Sequence, residues 1–448
     1  MANDYIDRLQ LKCSTSMAAY TKRLALVAVL VMGLDSQAQT LTAMDIAPQM
    51  IPGWNLGNTL EAGPCSWLSN DLDWETGWQP TKTSQKIIDY VKAKGFRSVR
   101  IPCSWNTHMD ANHRIKSAWM RRVKQVVDYC IKDSLYVMLN DHWDNGWIEV
   151  EGFKNLSDEK IERNCELLRD MWTQIATAFA DYDEHLLFAG MNEPNANDAQ
   201  LSVALKRYHQ TFVDAVRSTG GKNAERVLVV QGPCTNIDLS SQHDVLPDDP
   251  TPEKLMIEVH YYDPYNFVMM EKDEDWGYRF FYWGKNNHVG ESNYNATWGE
   301  ETYLQQQMRK MRTKYTNKGI PVVIGEYGAN RRVMPEGENQ EKHDNSLQDW
   351  YEAVTQYAIN NGCVPMVWDT NGNDPVIDRR DCSIGNPFAY NGIMEGVDAA
   401  TWPYTTGIES VRSDAKKGAD GKTYNLMGIP VNRNYRGIVV QGVKKYFR

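Results

Sequence analysis

Eight short runs of apolar residues, separated by longer amphipathic stretches, limit what this chain can fold into. The runs are continuous rather than alternating, which is typical of strands buried on both faces of a parallel sheet. Eight strands that alternate with helices predict an α/β fold, the (β/α)8 or TIM barrel. The runs span residues 53–58, 98–102, 136–141, 186–192, 226–232, 255–262, 321–328 and 364–371.

The intervening stretches have apolar residues at the spacing of an amphipathic helix. Gly95 and Gly362 stand where the C-terminal caps of two such helices would fall. Residues 233–254 show little helical period, which is a local departure from an ideal barrel. The clearest helical stretches are 84–95, 118–133, 162–182 and 346–362.

A doubly wound open sheet is the alternative fold. Such sheets usually carry a glycine-rich phosphate loop, and the sequence has neither G-x-G-x-x-G nor a Walker A motif. No linker, repeat or low-complexity segment marks a second domain. Residues 39–448 are therefore expected to form one domain.

The N-terminal residues have the pattern of an export signal. Basic residues precede the apolar stretch 24–32, and small residues suited to cleavage follow near Ala38. The stretch is too short to span a bilayer comfortably. We expect residues 1–38 to be an N-terminal extension and signal peptide, with Met17 as the alternative start. The mature chain is then secreted or periplasmic without a membrane span, and a buried N-terminal helix is the alternative.

The charge balance argues against nucleic acid as a partner. The chain has 58 Asp and Glu against 48 Lys and Arg, a formal net charge of −10, and no basic tract. The cysteines form no C-x-x-C or zinc-like cluster, and most are expected to be buried. His108 and His113 have no acidic ligand at metal spacing and are expected at the surface. No metal and no cofactor are expected.

Polar and aromatic residues stand where six of the predicted strands end, and a barrel of this type carries its chemistry at those ends. A structural role explains any single one of them. Their convergence on one rim predicts a functional site. The residues are Arg100, His142, Asn192, Glu193, His260, Tyr262, Glu326 and Trp368.

Glu193 and Glu326 come from the fourth and seventh strands, on opposite sides of the predicted barrel mouth. Cleavage of a glycosidic bond needs two such carboxyl groups, one to protonate the leaving oxygen and one to act as nucleophile or base. Arg100 is expected to hold the second carboxylate ionised, because a nearby cation favours the charged form. Retention and inversion of configuration remain open, because they depend on the distance between the carboxyl groups.

Seven segments together carry a resemblance to a known family. On these segments the chain resembles glycoside hydrolase family 5, a family of (β/α)8 retaining endoglycanases, and most of all its bacterial endo-β-1,4-glucanases. The resemblance runs from about Met50 to Tyr446, and a long insertion-like stretch from Val268 to about Asn295 is the main departure. The segments are GWNLGNTLEA (53–62), VRIPCSW (99–105), Asp141-His142, MNEP (191–194), VHYYDPYNF (259–267), IGEYGA (324–329) and VWDTNG (367–372).

The resemblance implies a role for each residue of the predicted site. It implies that Glu193 is the acid/base, that Glu326 is the nucleophile, and that Asn192 binds the sugar 2-hydroxyl. It further implies that His260 and Tyr262 orient the catalytic carboxylates. The remaining members of the implied site are Arg100 and His142, which support it, and Trp368, which lies under the sugar ring.

Tryptophans in the predicted loops are expected to border the cleft, because aromatic rings stack on the apolar faces of sugars. Some of those after the first and third strands should line subsites, and those in and near the insertion are expected to shape the cleft. The first group comprises Trp67, Trp74, Trp78, Trp143 and Trp147, and the second Trp276, Trp283 and Trp298.

The expected function is retaining hydrolysis of internal bonds in cellulose-type β-glucans by a monomer that uses no cofactor. Endo-acting xyloglucanase, mixed-linkage glucanase and β-mannanase are alternatives within the family, since subsite loops set that choice. A non-catalytic polysaccharide-binding protein is a further alternative, and the presence of both glutamates argues against it.

Overall fold

The computed structural model describes residues 40–404 and four short strands between residues 423 and 447. Its centre is a closed barrel of eight parallel strands in chain order, with the eighth strand paired to the first. Each predicted apolar run overlaps one strand, so the predicted (β/α)8 barrel is confirmed. The strands are β1 (Gly53–Asn55), β2 (Ser98–Ile101), β3 (Tyr136–Asn140), β4 (Leu186–Ala189), β5 (Leu228–Gln231), β6 (Leu255–Tyr261), β7 (Val322–Tyr327) and β8 (Cys363–Val367).

The α-helices alternate with the barrel strands, and Gly95 and Gly362 follow two of them with φ of +96° and +74°, as the cap prediction requires. Only the short helix Ile237–Gln242 follows β5, in agreement with the weak helical period there. The helices are α1 (Ala43–Ile46), α2 (Gln85–Ala93), α3 (Ser117–Lys132), α4 (Asp158–Ala178), α5 (Ala199–Ser218), α6 (Ile237–Gln242), α7 (Tyr265–Val268), α8 (Glu301–Lys314), α9 (Gln340–Asn360) and α10 (Pro387–Ala399).

An aromatic cluster shows how the helices hold a strand in place. Trp172 of α4 lies against Phe188 of β4 and Phe212 of α5, with ring centroids 5.6 Å and 4.6 Å apart. Its indole N–H donates to the carbonyl of Gly190, 3.2 Å away, just beyond the end of β4. The cluster therefore fixes the point at which the chain leaves the barrel, immediately before Asn192 and Glu193.

Further strands lie outside the barrel and are not among the predicted runs. β9 (Ile377–Asp378) and β10 (Ser383–Ile384) form a two-stranded antiparallel sheet. An antiparallel sheet in the order β12-β11-β13-β14 is formed close to the C-terminus. Its strands are β11 (Thr423–Asn425), β12 (Pro430–Val431), β13 (Ile438–Gln441) and β14 (Lys444–Phe447).

The expectation for His108 is wrong. Its ring is fully buried and stacks on Trp119 with centroids 3.7 Å apart, because the loop after β2 turns the ring into the apolar interior. Burial lowers the pKa of His108 to about 4. His113 does lie at the surface, with a side chain 43% exposed.

Two further predictions concern the burial of the cysteines and the export signal. Five of the seven described cysteines are buried, and none of the seven forms a disulfide. Among the described residues, no helix has the length and apolar character needed to cross a membrane. The predicted signal segment, residues 1–38, lies outside the described residues.

Candidate active site

The buried side chain of Arg100, in β2, lies at the centre of the site. One terminal nitrogen donates to Glu326 Oε1 at 2.9 Å and to Asn55 Oδ1 at 3.0 Å. The other donates to Asn192 Oδ1 at 2.7 Å. Nε lies 2.9 Å from Glu258 Oε1. Because the guanidinium is a rigid planar fork of donors, it fixes groups from β1, β6, β7 and the segment after β4 relative to one another.

Glu326 is buried at the end of β7, with its side chain 8% exposed. Besides the bond from Arg100, it accepts the hydroxyl of Tyr262 on Oε2 at 3.0 Å. His142 Nδ1 lies 4.0 Å from Oε1. Burial, the largest influence, raises the pKa of Glu326, whereas the charges of His260 and Arg100 oppose the rise.

Glu193 is more exposed than Glu326, with 46% of its side chain accessible to solvent. Its Oε1 lies 2.6 Å from Nδ1 of His260 and 3.4 Å from the hydroxyl of Thr235. Burial of the group acts to raise its pKa, but the hydrogen bond and charge of His260 outweigh burial and the pKa of Glu193 is lowered. One carboxylate oxygen of Glu193 lies within 4.8 Å of one of Glu326.

His260 connects the two glutamates to a third carboxylate. Its Nε2 lies 3.2 Å from Glu258 Oε1, and its Nδ1 lies 3.7 Å from Glu326 Oε2. Burial alone would lower the pKa of this histidine, but the charge of Glu326 and the hydrogen bonds to Glu193 and Glu258 raise it to about 10. The imidazole is therefore protonated at neutral pH.

Glu258 is the main member of the site that the sequence prediction missed. It is fully buried in β6, two residues before His260 and hence on the same face of the strand. It also accepts from Gln231 at 2.7 Å. An ideal Cβ on Gly325 of β7 would lie 1.9 Å from its Oε1, so only glycine fits there. The sequence did carry a signal, because Glu258 is a charged residue inside an otherwise apolar run. A charge at such a buried position is tolerated only when it is paired.

An open cavity of about 540 Å³ exposes both glutamates together with Asn192, His142 and Trp368. The rings of His142 and Trp368 stack nearly parallel, with centroids 5.5 Å apart. All of the predicted site residues are thus in one place, either lining this cavity or bonded to a residue that does.

Of the tryptophans predicted to border the cleft, Trp78 and Trp143 line the cavity, and each is 41% exposed. Trp74 instead packs against His108, with centroids 5.3 Å apart. Trp147 donates its indole N–H to Asp141 Oδ2 at 3.0 Å. The cavity lining includes none of Trp67, Trp74, Trp147, Trp276, Trp283 and Trp298.

Comparison with known proteins identifies the family of this chain. Residues 64–374 match the family model described as cellulase, glycosyl hydrolase family 5. The chain belongs to this family. It is a glycoside hydrolase, as its sequence motifs and its paired glutamates predict.

Curated relatives of this family 5 enzyme include a xyloglucan-specific endo-β-1,4-glucanase of Bacteroides ovatus, 35% identical over 80% of this chain and 71% of the relative. Endoglucanase A of Paenibacillus barcinonensis is 34% identical over 80% of this chain and 91% of the relative. A solved structure of a xyloglucan-specific β-1,4-glucanase from a ruminal metagenomic library, in complex with XXLG, is 47% identical with a TM-score of 0.75. That match covers 81% of this chain and 98% of the other.

Replacing His260 with glutamine is expected to cost more stability at pH 6 than at pH 9. The pKa of His260 in the folded chain, about 10, lies above its ordinary value of 6.5. The contribution of the imidazolium to the free energy of unfolding is therefore fully present below pH 6.5 and is lost as the pH rises toward 10.

Urea denaturation of the wild-type protein and H260Q at both pH values measures this difference. The matched control is H113Q, at the exposed histidine, which should cost little at either pH. A loss of stability in H260Q that stays constant with pH would contradict the protonated state of His260.

Proposed function

We propose that the protein is a retaining endo-β-1,4-glucanase that hydrolyses internal bonds of β-glucan chains. The separation of the two glutamates carries the proposal, since one carboxylate oxygen of Glu193 and one of Glu326 lie within 4.8 Å of each other. Carboxyl groups about 5–5.5 Å apart are typical of retaining glycosidases, whereas inverting enzymes place them about 6.5–9.5 Å apart to admit a water molecule.

In the proposed mechanism Glu326 attacks the anomeric carbon while Glu193 protonates the departing glycosidic oxygen, which breaks the C–O bond and forms a glycosyl ester. Glu193 then takes a proton from water, and the water oxygen displaces Glu326 from the anomeric carbon. Solvent accessibility suits Glu193 to this exchange of protons, and burial suits Glu326 to forming an ester.

The charges of the site support one shared proton. Arg100 and His260 are positive and Glu258 is negative, so the cluster is neutral when one of the two remaining glutamates is ionised and the other protonated. A neutral cluster costs least to bury. Coupled groups of this kind titrate as a unit.

In the open site burial raises the pKa of Glu326, and the hydrogen bond and charge of His260 lower the pKa of Glu193. The reaction needs the opposite arrangement. A sugar in the cleft covers the half-exposed Glu193 and excludes water from it, which raises its pKa. Arg100 and Tyr262 still donate to Glu326 and stabilise its charge. Substrate binding therefore favours the protonated form of the acid/base.

The supporting residues fit the roles that the family implies. Arg100 occupies the oxygen of Asn192 and leaves its amide –NH2 to donate to the sugar 2-hydroxyl. Trp368, held parallel to His142, offers a flat apolar face to a pyranose ring. Trp78 and Trp143 provide further exposed aromatic surface in the same cavity.

Loss of either glutamate is expected to remove most activity while leaving the fold intact. E326A removes the nucleophile, and E193Q removes the proton donor, each lowering kcat by roughly 10²–10⁴-fold or more. The measurement is reducing-end release from soluble β-glucan, with circular dichroism as the test of folding. The control is E151Q, at an exposed glutamate nearby. Near-wild-type turnover by E326A would reject Glu326 as the nucleophile, whereas no turnover by the wild-type protein would favour a polysaccharide-binding protein.

Xyloglucan is a second candidate for the main substrate, favoured by the 47% identity to a xyloglucan-specific enzyme. Under this second assignment we expect kcat/KM on xyloglucan to exceed that on carboxymethylcellulose and barley β-glucan by roughly tenfold or more, since differential contacts in subsites supply such ratios. Reducing-end assays on these polymers and on β-mannan, run side by side, measure it. A higher value on the unbranched glucans would return the assignment to a general endoglucanase, and preference for mannan would overturn the substrate.

We further propose that the enzyme is secreted or periplasmic, with the signal near the N-terminus removed. The basic flank, the apolar stretch 24–32 and the small residues near Ala38 support this. Expression of the full chain with its own N-terminus, followed by fractionation and N-terminal sequencing, is expected to give exported protein that begins just after Ala38. Full-length protein retained in the cytoplasm would contradict the proposal.

A further inference from the structure

The loop after β3 places another buried carboxyl group, that of Glu149, beside the two catalytic glutamates. Glu149 is 4% exposed. Its Oε1 accepts the backbone N–H of Trp143 at 3.0 Å and the backbone N–H of Glu193 at 3.1 Å. Its own carbonyl accepts the N–H of Asn195 at 2.8 Å. One residue thus joins the cleft wall to the segment that carries Glu193.

The position of Glu193 depends on such backbone contacts. The residue lies beyond the end of β4, outside the hydrogen-bonding ladder of the barrel. Nearly half of its side chain is exposed, and the side-chain hydrogen bonds that its carboxylate makes come from His260 and Thr235. A displacement of about 1 Å can lower the rate of an enzyme roughly 10²-fold.

The segment on the other side of Glu149 is conformationally strained. Trp143, Asp144 and Asn145 all have positive φ angles, of 52°, 46° and 59°. Each such non-glycine residue costs about 1–3 kcal/mol and persists only where its surroundings hold it. The Asp144 carboxylate is held by backbone N–H groups of residues 105–107. Glu149 provides the matching constraint at Trp143.

We propose that Glu149 is a positioning residue for the acid/base, which fixes the backbone of Glu193 relative to the Trp143 wall through a single oxygen. The inference rests on the proposed role of Glu193. It gives a function to a buried carboxyl group that the chemical steps do not use.

The charge of Glu149 is not what the role requires. Burial raises its pKa to about 7, and the nearby charges of Glu193 and Glu326 add to the rise, while the two backbone N–H groups lower it. A protonated carboxyl group and an amide both keep an acceptor oxygen. Glutamine at this position should therefore preserve the function, and alanine should abolish it.

The test compares E149A, E149Q and the control E151Q, which lies two residues along the same loop with a side chain 59% exposed. On soluble β-glucan we expect E149A to lose roughly 10²-fold in kcat with little change in KM, the loss expected of a misplaced catalytic group. E149Q should retain most of the wild-type kcat, and E151Q should match the wild type. If E149A does not fold, E149M removes the acceptor at similar volume.

A second substrate separates positioning of the acid/base from a general structural effect. Dinitrophenyl β-cellobioside has a leaving group that departs without protonation, so the first chemical step on it does not need a proton from Glu193. We expect the pre-steady-state release of dinitrophenol by E149A to approach that of the wild type.

Equal losses on both substrates, no rescue by glutamine, or wild-type turnover on glucan by E149A would each overturn the inference. These outcomes are distinct from failure of the proposed function, which would show as retained turnover in E326A.

Discussion

The arrangement of the site depends on one constraint, the complete burial of the Arg100 guanidinium inside the barrel. An uncompensated buried charge costs several kcal/mol, so Arg100 requires partners, and they come from β1, β6, β7 and the segment after β4. Glu258 and Glu326 supply negative charge, and Asn55 and Asn192 supply amide oxygens. The strand ends that meet at the rim are therefore held in register by electrostatics as well as by packing.

This constraint reaches residues that touch no sugar. Glu258 must approach Arg100 and His260 together, and it does so through space that only glycine at position 325 leaves free. In the proposed mechanism, the three carboxyl groups and two cations of this cluster are neutral together when one carboxyl group is protonated, as acid-assisted displacement requires. The carboxylates that compensate the charge of Arg100 thus include one of the two glutamates proposed to act in catalysis.

The sequence was a good guide wherever a local pattern carries the information. Continuous apolar runs mark doubly covered strands, and polar residues at their ends mark the rim, so the barrel and the site residues could be predicted. Glu258 was missed because its partners are brought together only by the closed barrel. The burial of His108 was not predicted, and the tryptophans that line the cavity could not be told from the others. Both depend on loop conformations, such as the positive φ angles from Trp143 to Asn145, which tertiary contacts set rather than local propensity.

The loop after β3 provides Trp143 to the cleft wall and Glu149 to the backbone of Glu193, and one oxygen atom serves both contacts. In the proposed mechanism, recognition of the polymer and placement of the proton donor therefore depend on the same loop. An evolving or engineered variant that reshapes this wall for a differently decorated chain also disturbs the chemistry. Broadening of substrate range should be easier in the loop after β1, which contributes Trp78 to the surface of the same cavity.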